Sequence, residues 1–149
     1  MLSAKELAAL LGPEVPTPEQ EAIIEGAPGG TFRVVTGAGS GKTETMAQRV
    51  VWLIANSHVS ASGVLGLTFT KKAARELSTR IRSHLATLAQ AGIGVETDEF
   101  VGPTVSTYNA FAAGLYREHA TLLGRDPDAS VLSEASASHG VFCSRYPHT

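Results

Sequence analysis

The stretch Gly37-Ala38-Gly39-Ser40-Gly41-Lys42-Thr43 decides how the rest of the chain is read. It follows a short apolar run, Phe32-Arg33-Val34-Val35, and opens a helix-patterned segment that reaches about Asn56. Strand, glycine-rich turn, then helix is the setting of a phosphate-binding loop. Glycines let successive backbone N–H groups turn inward, and the new helix adds its own unpaired N–H groups and dipole at the same point. Lys42 is placed to reach the outer phosphates of a nucleotide, and the Thr43 hydroxyl suits Mg²⁺. Thr36 stands where the strict pattern G-x-x-x-x-G-K-[ST] has its first glycine. The plainer alternative is a glycine-rich turn that merely caps a helix.

With 149 residues, the chain has one domain's worth of sequence, able to bury roughly two thirds of its unfolded surface. Apolar residues make up 43% and charged residues 17%, which is globular rather than disordered composition. The net charge of −2 advertises no nucleic acid partner, so any such site must be a local patch. The single cysteine, Cys143, excludes an intrachain disulfide and suits a reducing cytoplasm. No apolar run approaches the roughly 20 residues that span a bilayer, so no membrane association is expected. The histidines are scattered and none sits at metal-ligand spacing with Cys143 or a carboxylate, so no zinc site is expected.

Ser3 and Glu6 form a capping box for a helix that Gly12-Pro13 ends. A second start signal combines Thr17 as N-cap, Pro18 at the first helical position and Gln20 three after the cap; that helix stops at Gly26. Beyond the phosphate loop, Met46, Ala47, Val50, Val51 and Ile54 recur at helical spacing and predict an inward face. Val64 to Phe69 reads as a second, largely buried strand, which would complete a parallel βαβ unit with Phe32–Val35. A helix is predicted from about Lys72 to Gln90, with Ala74, Leu77, Ile81, Leu85 and Leu88 buried and Arg75, Arg80 and Arg82 off that stripe. An acidic loop runs from Ala91 to Pro103. Thr104 to Thr107 is a strand candidate, and Tyr108 to about Leu123 reads helical with Phe111, Leu115 and Leu122 apolar. From His139 to Thr149 no periodicity is coherent, and a tail is expected.

Thr17-Pro18-Glu19-Gln20 resembles the Q motif of the superfamily 1 DNA helicases, the UvrD/Rep/PcrA group. Leu67-Thr68-Phe69-Thr70-Lys71-Lys72-Ala73-Ala74-Arg75-Glu76-Leu77 resembles motif Ia of that family, usually written TFTxKAAxEL. Ser106-Thr107-Tyr108-Asn109-Ala110-Phe111 is similar to motif Ib, in which STFHS is common. The segments occur in the family's order and spacing, over roughly residues 14 to 135. Thr107-Tyr108 and the alanine-rich helix after it also resemble actinobacterial helicase–nuclease subunits of the AdnB or RecB kind.

The resemblance implies an α/β P-loop NTPase: an incomplete RecA-like domain with parallel strands and flanking helices over residues 1–107. The start of an inserted helical subdomain would follow at 108–138, and an aberrant or disordered tail at 139–149. It implies ATP and Mg²⁺ as cofactors, bound by Gln20, Gly37, Ala38, Gly39, Ser40, Gly41, Lys42, Thr43 and Glu44. Lys42 and Thr43 would be the catalytic pair, and Thr43 the metal ligand. Gln20 would read the adenine edge; as a capping-box residue it also has a sufficient structural role. Thr68, Phe69, Thr70, Lys71, Thr107, Tyr108 and Asn109 would contact single-stranded DNA. For Phe69 the alternatives are stacking on a base, without reading sequence, and ordinary core packing. Lys71, Lys72 and Arg75 form a local positive patch, or a solvated helix end.

Two positions depart from the family. Asn109 stands where histidine is frequent, and Glu44 where many relatives carry arginine beside the nucleotide. A carboxylate there cannot replace a cation; it favours the helix dipole. No apolar strand followed by Asp-Glu is present, so the acids that hold Mg²⁺ and the attacking water are missing. The chain therefore reads as the N-terminal piece of an ATP-dependent helicase of DNA repair or recombination. Such a piece is expected to bind ATP–Mg²⁺ without turnover, its parent acting on single-stranded or duplex DNA with a helicase or nuclease subunit as possible partner. Two other classes stay open: another P-loop NTPase or kinase, and an inactive folded fragment.

Overall fold

The helix starts announced by the sequence carry their caps. The computed structural model describes residues 1–12, 14–37, 39, 41–93 and 102–127. Ser3 Oγ accepts from the Glu6 N–H at 3.2 Å and Glu6 Oε2 from the Ser3 N–H at 2.8 Å, which opens α1 (Ala4–Leu11). Thr17 Oγ1 and the Gln20 side chain make the same reciprocal pair ahead of α2 (Pro18–Ile24). α3 (Lys42–Ala55) begins directly at Gly41. Thr70 Oγ1 caps α4 (Lys71–Gln90) by accepting from the Ala73 N–H at 3.1 Å. β1 (Leu65–Thr68) and β2 (Thr104–Thr107) pair in parallel, Leu65 opposite Thr104 and Thr68 opposite Thr107. α5 (Tyr108–His119) follows β2.

The chain divides into two compact units, Met1–Tyr108 and Asn109–Thr149. In the first, α1, α3 and α4 pack on one another, and their apolar faces make the core. Leu7, Ile24, Val51, Ile81 and Leu88 are its largest fully buried side chains, with Trp52, Leu77 and Leu85 beside them. Each such side chain contributes about 1.5–3 kcal/mol on burial. The whole predicted stripe of α4, from Ala74 to Leu88, is buried. Polar contacts fix the chain start to the end of α3. Trp52 Nε1 donates to the Leu2 carbonyl at 2.7 Å, and Asn56 both accepts from the Leu2 N–H at 2.6 Å and donates to its carbonyl at 3.0 Å.

In the second unit, a short 3₁₀ turn (Thr121–Leu123) follows α5 and ends at Gly124 with φ +63°. Ala120 is buried, whereas Leu115 and Leu122 are exposed and α5 has no buried residue of its own among the described ones. The apolar spacing there does not translate into a core face.

Three expectations need correction. Phe32–Val35 is not a strand: among the described residues the only ladder joins β1 and β2, and a strand needs a second segment with which to exchange its hydrogen bonds. The βαβ unit is therefore β1–α4–β2, and not the pair of strands flanking α3. β1 is also shorter than Val64–Phe69 and half-buried rather than buried, with Leu65 exposed; α4 packs on the two-stranded sheet, and each strand is an edge. On α3, Met46 faces outward, and the side chains buried in its neighbourhood include Thr45, Gln48 and Trp52, which the apolar spacing did not select. No helix among the described residues is long and apolar enough to cross a membrane. Residues 94–101 of the acidic loop and the predicted tail lie outside the described residues.

Candidate nucleotide and polynucleotide sites

The phosphate loop turns through two left-handed glycines, Gly39 at φ +78° and Gly41 at φ +74°. A side chain at either would be strained, and a Cβ on Gly41 would lie 3.2 Å from Gln20 Nε2. Ala38 and Ser40 lie outside the described residues. Lys42 folds back over the loop, its Nζ donating to the carbonyls of Gly37 at 2.5 Å and Thr36 at 3.3 Å. Thr36 therefore contributes through its backbone. Ser57 is the one non-glycine with positive φ among the described residues, so position 36 places no demand for glycine. Thr45 Oγ1 donates to the Gly41 carbonyl at 3.2 Å and tightens the first turn of α3, leaving Thr43 exposed.

Two cavities meet at Lys42. The smaller, about 230 Å³, is lined by Gly39, Gly41, Thr43, Glu44, Glu76 and Arg80 besides Lys42. The larger, about 460 Å³, is lined by Ile23, Val34 and Met46 and by the polar Thr17, Glu19, Gln20, Thr36 and Thr45 besides Lys42. This is where Met46 goes instead of the core. The Gln20 amide serves α2 with its oxygen, which accepts from the Thr17 N–H at 2.9 Å, while its nitrogen is directed toward Gly41. The capping role is thus present, and the same residue borders the loop.

Glu44, expected beside the nucleotide at the dipole end of α3, lines the phosphate cavity and also joins α3 to α4. Its Oε2 accepts from Arg80 at 2.9 Å, and its Oε1 meets both Gln48 Nε2 and His84 Nε2 at 2.9 Å. Burial works against this carboxylate, but the Gln48 hydrogen bond and the neighbouring His84 and Arg80 outweigh it, so its pKa falls below the usual 4.5. Gln48, Arg80 and His84 were not identified as site residues from sequence; the four-residue steps Glu76, Arg80, His84 on α4 were the available signal. Arg49, also unforeseen, donates to the carbonyls of Ile23 at 2.6 Å, Gly26 at 3.1 Å and Ala27 at 3.3 Å. It closes the end of α2, and burial lowers its pKa.

The parallel register brings the other predicted set together. Thr68 and Thr107 are paired, so Phe69 and Tyr108, one step further on, are neighbours: their ring centroids are 5.2 Å apart and tilted by 37°. Phe69 is 90% exposed, which removes the core-packing alternative. Lys71, Lys72 and Arg75 are exposed on the first turns of α4. The hydroxyl of Thr70 is engaged as the cap of α4, and that of Thr68 donates to the Thr70 carbonyl at 3.0 Å. Asn109 belongs to the second unit, exposed in the first turn of α5.

Residues 16–143 match the model of the UvrD/REP helicase N-terminal domain. The chain is 38% identical to the DNA helicase II of Haemophilus influenzae over 71% of its own length and 14% of that protein. It is 34% identical to the ATP-dependent DNA helicase UvrD1 of Mycobacterium leprae, over 95% of the chain and 18% of the relative. With the ATP-dependent DNA helicase PcrA of Bacillus subtilis it shares 32% identity over 71% of the chain and 13% of that protein. The chain thus spans less than a fifth of the length of these relatives.

Proposed function

The chain belongs to the UvrD/REP helicase N-terminal domain family, and from that premise we propose that it forms the ATP-binding and single-stranded-DNA-contacting portion of an ATP-dependent DNA helicase. One observation carries this reading: Lys42 lines both the phosphate-loop cavity and the apolar cavity bordered by Gln20. A base and a polyphosphate could then occupy adjoining spaces with a single ammonium between them.

The residues fit the nucleotide. Gly39 and Gly41 present backbone without side chains, Lys42 carries the cation, and the Thr43 hydroxyl opens on the phosphate cavity for Mg²⁺. Ile23, Val34 and Met46 offer apolar walls to a base, and Gln20 offers its amide. When bound, ATP with Mg²⁺ supplies the hydrolysis energy that drives translocation. Lys42 would exchange its loop carbonyls for phosphate oxygens, which costs the chain two hydrogen bonds and gives a stronger charge-assisted set. Phe69 and Tyr108 would give bases a stacking surface, with Lys71 near the backbone phosphates. Among the described residues neither strand ends in paired acids, which supports binding of nucleotide without turnover by the chain itself. Cytoplasmic residence, a role in DNA repair or recombination, and a helicase or nuclease partner subunit complete the reading; co-purification from the source cell tests the last.

Calorimetric titration of the 149-residue chain with ATP and Mg²⁺ tests the core of it. Binding is expected for the unaltered chain and loss of at least about tenfold in affinity for Lys42→Ala, with melting unchanged because Lys42 is exposed. Equal affinity in the two proteins would refute the site, and steady phosphate release that Lys42→Ala abolishes would refute binding without turnover.

A further inference from the structure

We infer that Arg80 is a phosphate-facing cation of this site, held at the cavity edge by Glu44, and that it makes the site prefer a triphosphate to a diphosphate. This rests on the nucleotide reading above and deepens it.

The charges lining the phosphate cavity are Lys42 and Arg80 against Glu44 and Glu76. With Arg80 removed, two carboxylates face one ammonium, and the charge balance of the cavity turns against one further phosphate group. Arg80 comes from α4 and not from the loop. Glu76, Arg80 and His84 follow at four-residue steps and share a face of that helix, off the buried stripe. Lys42 borders both cavities, whereas Arg80 borders only the phosphate one of the two. Arg80 therefore lies at the end away from the base, where the terminal phosphate would sit.

The holding arrangement leaves the guanidinium free to turn. Among the described residues Arg80 commits one of its five N–H donors, through Nη1 to Glu44 Oε2 at 2.9 Å. Glu44 Oε1 is oriented independently by Gln48 and His84. The carboxylate thus keeps its place and its partners when Arg80 swings toward a phosphate oxygen. A larger cavity of about 670 Å³ lies along the outer face of α4 and also borders Arg80, so the side chain has space on both sides. Glu44 is a positioning residue here, and Arg80 the one that meets the ligand.

The test is calorimetric affinity for ATP and for ADP, each with Mg²⁺, in the full chain and its variants, with far-UV circular dichroism melts alongside. Arg80→Ala should weaken ATP about tenfold and ADP less than twofold, a loss of about 1.4 kcal/mol confined to the triphosphate. Arg80→Lys should recover part of the preference, and Arg80→Gln, which keeps the stem packed, should behave as Arg80→Ala. Glu44→Ala separates positioning from bulk charge: removing an anion should by charge alone tighten ATP, but loss of the anchor should lower the ATP:ADP ratio. An ATP:ADP ratio unchanged in Arg80→Ala and Arg80→Gln would overturn the assignment of Arg80 and leave the nucleotide site standing. A raised ratio in Glu44→Ala would overturn the role of Glu44. Failure of the unaltered chain to bind either nucleotide would overturn both this inference and the reading beneath it.

Discussion

Two apolar runs in this chain lead through a turn into a long helix, and only one of them is a strand. Leu65–Thr68 is the weaker strand former on composition, with a glycine inside it, yet it pairs along its length with Thr104–Thr107. Phe32–Val35 is rich in aromatic and β-branched residues, yet joins no ladder among the described residues, with Val35 78% exposed. The difference teaches that a strand is a property of two segments, and that propensity in one cannot supply the other's hydrogen bonds. Side chains hold the first run instead. The Phe32 ring lies under the Arg49 guanidinium at 4.8 Å and against Gly26 and Gly30, where an added Cβ would come within 2.6 and 2.9 Å of ring atoms.

The largest expected contrast between the runs is in amide hydrogen exchange. Amides of Arg33 to Val35 should exchange near their intrinsic rates, and those of the β1–β2 ladder orders of magnitude more slowly; comparable protection would mean that the first run is laddered after all. Arg49→Ala should then destabilise the first unit by about 1.5–3 kcal/mol, because four turn and helix-end carbonyls, those of Ile23, Ile24, Gly26 and Ala27, lose a charged donor. Urea denaturation measures it, and a change below about 0.5 kcal/mol would show that Phe32 alone secures the segment. Phe69→Ala acts at the end of the other run. It should cost roughly 1–3 kcal/mol of single-stranded DNA affinity with no loss of stability, the ring being exposed. Fluorescence anisotropy reads it, and an unaltered affinity would refute a stacking role for that ring.

The smallest effect concerns acid. The pKa of Glu44 is lowered in the folded chain, so its contribution is present above the ordinary 4.5 and is lost as pH falls through its folded value. Glu44→Gln should therefore flatten the acid side of the melting-temperature profile below about pH 5. An acid limb of unchanged slope would mean that the link from α3 to α4 adds no pH dependence.

What the sequence disclosed was local. Ser3 with Glu6, and Thr17 with Gln20, announce helix starts because a cap is written within four residues. The α4 stripe was legible because one face of a long helix is buried along its whole length. The phosphate loop and the Thr68-Phe69 and Thr107-Tyr108 steps were legible as motifs, and the parallel register brings the last two together. Long-range partners were not legible. Nothing within α3 says that Glu44 meets Arg80 and His84, 36 and 40 residues away, or that Arg49 closes a helix 26 residues upstream. Trp52 was missed because its partner is a carbonyl at Leu2 and not a periodic neighbour.

α4 has one further consequence. Its cap, Thr70, follows Phe69 directly, and Arg80 lies ten residues along the same helix, about 15 Å at 1.5 Å per residue. Between them Leu77 is buried against the core. Because the guanidinium can reach a phosphate by turning its own side chain, the helix can stay in place, and it holds the exposed ring and the cation at a fixed spacing.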